Sequence, residues 1–189
     1  MIDQEDAALV LASQQGDRDA FGALISRHAR SILSLTTRML GPADAEDVAQ
    51  ETFVAAYRAL ASFKSDSKFS TWLYRIGVNK CTDSLRARRP ENTSLDVISD
   101  ESAAALDVSN DETPQWELEQ AELAWELDKG IQALPHLYRE SFVLRHIEGL
   151  GYDEMSLILG VHRDTLKMRV YKARTLLCQS LAHLDGVHR

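Results

Sequence analysis

Cationic side chains gather in two places in this chain of 189 residues. Between 75 and 89, Arg75, Lys80, Arg86, Arg88 and Arg89 stand against the single carboxylate of Asp83, a local charge of +4. Between 161 and 177, Arg163, Lys167, Arg169, Lys172 and Arg174 stand against Asp164, again +4. The chemistry open to such clusters is the neutralisation of phosphates and the reading of guanine edges by guanidinium and ammonium donors. Between them, residues 90–128 hold 12 Asp and Glu and no Lys or Arg. The formal net charge of −8 belongs to that segment, since the parts on either side sum to +1 and +3. An acidic whole-chain balance therefore does not exclude a polyanionic partner.

Other chemistries find less support. No Gly-rich phosphate loop, paired-carboxylate site or nucleophile–His arrangement stands out, so no catalytic residue and no cofactor is expected, and the chain is read as a non-enzyme. His28 lies near an apolar stripe, His136 opens a helix, and His183 and His188 sit in a tail. No three of them converge at metal-ligand spacing, so no metal site is expected. Cys81 and Cys178 form no CxxC pair and are read as reduced, packed small residues. No apolar run approaches the roughly 20 residues that cross a bilayer, and the start, MIDQEDAALV, lacks a signal-peptide pattern. A cytoplasmic protein without membrane insertion of its own is the expectation.

The elements that must carry the clusters read as helices, because apolar residues recur at three and four rather than alternating. Asp3 caps a first helix that Gly16 ends, and Asp17 starts a second with Phe21, Leu24, Ile25, Ile32, Leu35 and Met39 on one stripe, stopped by Gly41-Pro42. A third, from about 43 to 60, carries the stripe Ala49, Phe53, Ala56, Tyr57 and Leu60. Acidic residues crowd its first turns, where they suit the helix dipole. Residues 61–68 read as polar loop, and Ser70 or Thr71 caps a fourth helix through Trp72, Leu73, Ile76 and Leu85 to Arg89. From Pro90 to about Pro114 the sequence lacks a sustained stripe and reads as a flexible acidic linker. Four further helices are expected: 116–134, 136–148, 152–159 and 163 to about 182.

The turn Gly160-Val161-His162 joins the last two. Ser156 and Gly160, the apolar Met155, Leu159, Val161, Leu166 and Val170, and a basic second helix together match a helix-turn-helix, whose second helix enters the major groove. The fold class is therefore all-α: two small helical domains, 1–89 and 116–189, joined by an acidic linker at 90–115, with the helix-turn-helix in the C-terminal domain.

Three stretches, in order, resemble the extracytoplasmic-function (ECF) group of bacterial RNA polymerase sigma factors, within the sigma-70 family. DAEDVAQETFVAAYRAL (44–60) resembles the region-two helix that docks on the polymerase clamp. FSTWLYRIGVNKCTDSLRARR (69–89) resembles the helix that handles the minus-ten element, and LPHLYRESFVLRHIEGLGYDEMSLILGVHRDTLKMRVYKAR (134–174) resembles region four. The resemblance implies that Asp44, Asp47, Gln50 and Glu51 bind polymerase, where an Arg-rich coiled coil would supply charge-assisted hydrogen bonds. It implies that Phe63, Lys64, Ser65, Ser67 and Lys68 form a pocket for an unstacked base of the non-template strand, with Asn79, Lys80, Asp83 and Arg86 on the adjoining helix. Phe69, at the head of an apolar stripe, is read as a core anchor. Arg163, Thr165, Lys167, Met168, Arg169, Tyr171 and Lys172 are the side chains available to the minus-thirty-five duplex. Asp83 departs from the family's usual neutral amide. His162, Asp164-Thr165-Leu166 and Met168 depart where the family resembles Ser, Gly-Thr-Val and Ser, so promoter preference is expected to be individual.

The implied partners are core RNA polymerase, promoter DNA as duplex and as melted non-template strand, and an anti-sigma factor. The linker would thread toward the RNA exit path as an RNA-like acidic occupant. The implied function is promoter selection and nucleation of melting, in a stress response. The reading from a different class is a stand-alone helix-turn-helix regulator that binds duplex DNA without polymerase.

Overall fold

The computed structural model describes residues 4–88 and 115–182, all of whose regular elements are helical. The segment read as a linker, 90–115, lies outside the described residues except for Gln115, as do Asp3, Arg89, His183 and His188.

Helix α1 (Gln4–Gln14) gives way at Gly16, and α2 (Arg18–Leu40) starts where the sequence places it. The Asp17 carboxylate accepts from the backbone N–H groups of Asp19 (2.9 Å) and Ala20 (3.1 Å), satisfying donors that a helix start leaves orphaned. Phe21, Leu24, Ile32, Leu35 and Met39 are buried along one face, as their spacing requires. Gly41, at φ +87°, then turns the chain, and Pro42 opens α3 (Pro42–Ala59), where its missing N–H leaves nothing unbonded.

The buried face of α3 is rotated from the expected stripe. It consists of Ala45, Val48, Ala49, Thr52 and Ala56, whereas Tyr57 is 49% exposed with its ring against Phe21. Small residues let α3 approach α2 closely, and a position next to Ala56 is turned about 100° from it, onto the rim. A single 3₁₀ turn at Leu60–Ser62 leads to the loop, and α4 (Phe69–Arg88) begins before the expected cap, with Thr71 buried. At Gly77 a Cβ would stand 3.1 Å from Leu35 and 3.6 Å from Thr52, so glycine permits α4 to meet both other helices.

In the second half, α5 (Gln115–Ala133) is followed by α6 (His136–Phe142), which does not run on to Glu148 as a regular helix. Residues Val143–Ile147 form one π turn, closed by the Glu148 N–H on the Val143 carbonyl at 3.0 Å. Helices α7 (Tyr152–Leu159) and α8 (Arg163–Leu181) match their expected spans. Met155, Ile158, Leu166, Val170, Ala173 and Leu177 supply their shared core.

The halves pack on each other, α7 against α4 and both α5 and α6 against α2. Polar ties cross the junction. The Glu148 carboxylate, at the end of the π turn, accepts from Ser34 Oγ (2.9 Å) and from Tyr74 Oη (2.5 Å). Burial, then the hydrogen bond to Glu148, raise the Tyr74 phenol above its ordinary pKa, so it stays a donor. Arg139 donates to the Met39 carbonyl (2.6 Å) in the first half and to the Gln132 and Leu134 carbonyls in the second. Burial lowers its pKa to about 10, leaving it charged at neutral pH.

Candidate nucleic-acid interface

The helix-turn-helix turn is built by three residues. Gly160 takes the left-handed conformation at φ +65° and donates to the Ser156 carbonyl at 2.9 Å, while Ser156 Oγ donates to the Val161 carbonyl at 2.8 Å. At the head of α7, Glu154 accepts from the Gly151 N–H at 3.0 Å, and His162 Nδ1 accepts the Asp164 N–H at the start of α8. The bonds aim α8 outward. Arg163, Thr165, Lys167, Met168, Tyr171 and Lys172 are exposed along it, Met168 and Tyr171 at 66% each.

Arg169 differs from its expected place on the DNA-facing surface. Its side chain is 18% exposed and bonds through Nη1 to Glu140 Oε1 of α6 at 3.1 Å. A guanidinium turned into the domain braces α8 on α6 and is withdrawn from the exposed face of α8. Lys167 and Arg163 hold carboxylates at rest, Asp164 (2.9 Å) and Asp153 (3.0 Å). The hydrogen bond from Lys167 is the first cause that lowers the pKa of Asp164, which stays charged at the start of α8.

Glu140 couples this brace to pH. Burial raises its carboxyl to about 7, outweighing the opposing attraction of Arg169. The folded chain thus holds this proton more tightly than the unfolded one. Its stabilisation is present below pH 4.5 and is lost as pH rises through about 7. Urea unfolding of wild type and Glu140→Gln across that range is expected to show a stability difference that falls, on the order of 3 kcal/mol in total. A difference constant with pH would remove Glu140 as the titrating group.

On the first half, Arg75, Asn79, Asp83 and Arg86 are exposed on α4 at spacings of four, four and three, which is one helix face. Arg86 approaches Asp83 to 3.8 Å, offsetting the carboxylate that departs from the family pattern. Lys80 is directed away, onto Glu51 of α3 at 3.1 Å.

The loop ahead of α4 combines a buried floor and an exposed rim. Phe63 is packed with Trp72 (4.9 Å between ring centroids) and Phe69 (6.0 Å), so both phenylalanines are core anchors, with the Phe63 ring held inward. Lys64 and Ser65 are exposed, and Ser65 takes φ +56°, uncommon for a residue with a side chain. Ser67 is half-buried. Lys68 is held by Glu154 of α7 at 2.7 Å, and this hydrogen bond is the first cause that lowers the Glu154 pKa.

On α3, Asp47, Gln50 and Glu51 are exposed on one face, and Val54 continues it. Asp44 is tied to Arg88 at the end of α4. Of the thiols, Cys81 is fully buried, its pKa pushed up to about 12 by burial, while Cys178 is exposed rather than packed. His28 and His136 are engaged in hydrogen bonds, to Asp6 and Thr82 respectively. Among the described residues no helix is long and apolar enough to cross a membrane.

Sequence reasoning missed Gln14, Ser34, Tyr74, Glu148 and Glu154. Their partners lie between 46 and 114 positions away along the chain, and no local pattern marks such pairs.

Comparison with known proteins fits this arrangement. Residues 24–91 match Sigma-70 region 2, and residues 124–177 match Sigma-70, region 4. The chain is 37% identical over 175 residues to the ECF RNA polymerase sigma-E factor of Salmonella typhimurium, covering 89% of this chain and 90% of that one. It is 38% identical over 178 residues to the protein of the same name from Haemophilus influenzae, covering 91% and 93%. Among solved structures it is similar to CnrH in complex with the cytosolic domain of CnrY (TM-score 0.65, 33% identity, 97% of this chain and 99% of that one). It shares its fold with the sigma factor RpoE of Bartonella quintana, solved with the anti-sigma factor NepR (TM-score 0.63, 22% identity, 89% and 98%). With relatives this similar over nine-tenths of their length, the chain belongs to the ECF RNA polymerase sigma factors of the sigma-70 family.

Proposed function

We propose that this chain recruits core RNA polymerase to a particular set of promoters and nucleates their melting, without catalysing a reaction itself. The observation that supports the reading is that one chain exposes Arg75, Asn79 and Arg86 along one face of α4, a cationic face on α8 and an acidic face on α3. The domain division is 1–89 for polymerase and the minus-ten element and 116–189 for the minus-thirty-five element. Asp44, Asp47, Gln50 and Glu51 serve polymerase docking. Lys64, Ser65, Ser67 and Lys68, with Asn79, Asp83 and Arg86, serve the melted strand. Arg163, Thr165, Lys167, Met168, Tyr171 and Lys172 serve the upstream duplex, where the exposed Met168 suits a thymine methyl group. An anti-sigma factor is the expected inhibitor, as one is bound to RpoE of Bartonella quintana. The site of action is that of the polymerase, the cytoplasm.

Geometry adds a requirement. Elements centred about 25 base pairs apart are roughly 85 Å apart on B-form DNA. A compact chain of 189 residues has a radius of gyration of about 16 Å. The two halves must therefore separate, breaking the ties at Glu148 and Lys68, before both elements are engaged.

The test is run-off transcription from a library of genomic promoter fragments, using the purified chain with core polymerase freed of other sigma factors. Discrete starts sharing two upstream motifs are expected. Polymerase binding without transcripts would point to an inactive mimic, and sequence-specific duplex binding without polymerase would point to a stand-alone regulator.

A further inference from the structure

The proposal that the loop at 63–69 receives an unstacked base leaves open what holds that loop in shape. Phe63 and Phe69 pack the ends of the loop against Trp72, and Lys68 is tied to Glu154, while Lys64 and Ser65 between them are exposed, with Ser65 at φ +56°. A further restraint, at the entry to the loop, comes from α1, which precedes the residues matched to region 2. Gln14 Nε2, on the last turn of α1, donates to the Leu60 and Phe63 carbonyls, both at 2.9 Å. Those carbonyls bracket the 3₁₀ turn from which the loop springs. At the other end of α1, Asp6, Ala7 and Val10 face Ser65, Ser67 and Phe69 across a recess of about 10 Å³, room for about one water molecule.

Asp6 is itself locked. Although 2% exposed, its carboxylate is satisfied by Arg27 Nη1 (2.8 Å) and His28 Nε2 (2.9 Å) of α2. The His28 ring lies 5.4 Å from that of Phe69, at the loop's far end. The loop is thus gripped at its start by Gln14 and seated at its end on a floor that Asp6 fixes to α2.

We propose that α1 is the positioning element of the base-capturing loop, with Gln14 as the residue that sets its entry geometry and Asp6 as the anchor of its floor. This rests on the reading of 63–69 as the minus-ten loop. Gln14 acts through the loop and touches no nucleotide, so its loss should blur which base is accepted at one position rather than abolish binding.

The experiment uses the full chain assembled with core polymerase and a pool of single-stranded DNA randomised over six positions, with captured strands sequenced. Wild type is expected to enrich one base most strongly at one position. Gln14→Leu, which keeps the size but loses the donor, should cut that enrichment about fivefold and leave the other positions within twofold. Gln14→Glu, which sets a carboxylate against two carbonyls, should do the same or more, and Gln14→Lys, which restores a donor, should stay within twofold of wild type. An equal fall at every position in both Gln14→Leu and Gln14→Glu would overturn the proposal, as would equal losses in Gln14→Leu and Gln14→Lys. Ser67→Ala separates the two readings. If it lowers the enrichment and Gln14→Leu does not, the loop captures the base and α1 does not position it. If neither changes anything, the minus-ten reading of the loop falls and the positioning role falls with it.

Discussion

Replacing Asp47 and Glu51 together by alanine is expected to weaken binding of this chain to core RNA polymerase by at least thirtyfold, while the thermal midpoint moves by no more than a few degrees. The two carboxylates are exposed on α3, one turn apart, opposite the buried face of Ala45, Val48, Thr52 and Ala56. Removing them empties no core position. Their structural roles, a weak helix-dipole effect at Asp47 and the exposed ion pair of Glu51 with Lys80, are worth under about 1 kcal/mol each. Truncating a charged hydrogen-bonding pair at a protein interface costs about 2 kcal/mol or more. The two roles therefore predict different outcomes. Anisotropy of labelled chain titrated with core polymerase, at two salt concentrations, measures the effect, and the wild-type advantage should shrink at higher salt. An affinity within threefold of wild type would return these residues to helix-dipole compensation and move polymerase docking elsewhere.

Glu148→Leu is expected to open the chain. Glu148 is the acceptor shared by Ser34 of α2 and Tyr74 of α4, so one side chain ties the second half to both helices. Leucine would leave two partly buried hydroxyls without their partner, each worth about 1 to 3 kcal/mol. Lys68 on Glu154, Arg139 on the Met39 carbonyl, Arg38 on Asp128 and Thr82 with His136 would be the polar ties left across the junction. Donor and acceptor dyes at position 19 in α2 and position 172 in α8 should report a longer mean distance in the variant. The fold within each half should persist, because Glu148 ends the π turn through its backbone N–H, which leucine retains. If the closed arrangement competes with promoter engagement, the variant should form open complexes about tenfold more readily at limiting chain concentration. An unchanged distance would mean that Arg139 and the apolar contacts suffice to hold the halves together.

Much of the architecture was legible because it is local. Helix starts and stops at Asp17, Gly41-Pro42 and Gly160 follow from side-chain capping and from backbone conformations that few residues adopt, and the spans of α7 and α8 follow from them. The placement of Arg75, Asn79, Asp83 and Arg86 on one face follows from helical periodicity alone. The failures are equally physical. Of the expected α3 stripe, Ala49, Ala56 and Leu60 are buried while Tyr57 is turned to the rim, because small residues at Ala45, Ala49 and Ala56, rather than the bulkiest ones, decide how closely α3 approaches α2. Glu148 fell at the end of an expected regular helix because a π turn differs from an α turn by one carbonyl partner, with no residue type that marks it.

The one-dimensional pattern by itself determined that this protein is helical, that its cations form two clusters, and that it belongs with a group of promoter-selecting subunits, since periodicity, capping and motif order are properties of neighbours along the chain. Tertiary structure alone decided which charges are available. Arg169 is withdrawn onto Glu140, Lys80 onto Glu51 and Lys68 onto Glu154, although in sequence each looks like any other exposed cation. It also gave α1 its place against the loop through Gln14 and Asp6, residues that carry no signal of their own. The reason is common to all of them. A long polar side chain takes its role from whichever acceptor or donor the fold brings within about 3 Å, and those partners come from distant parts of the chain.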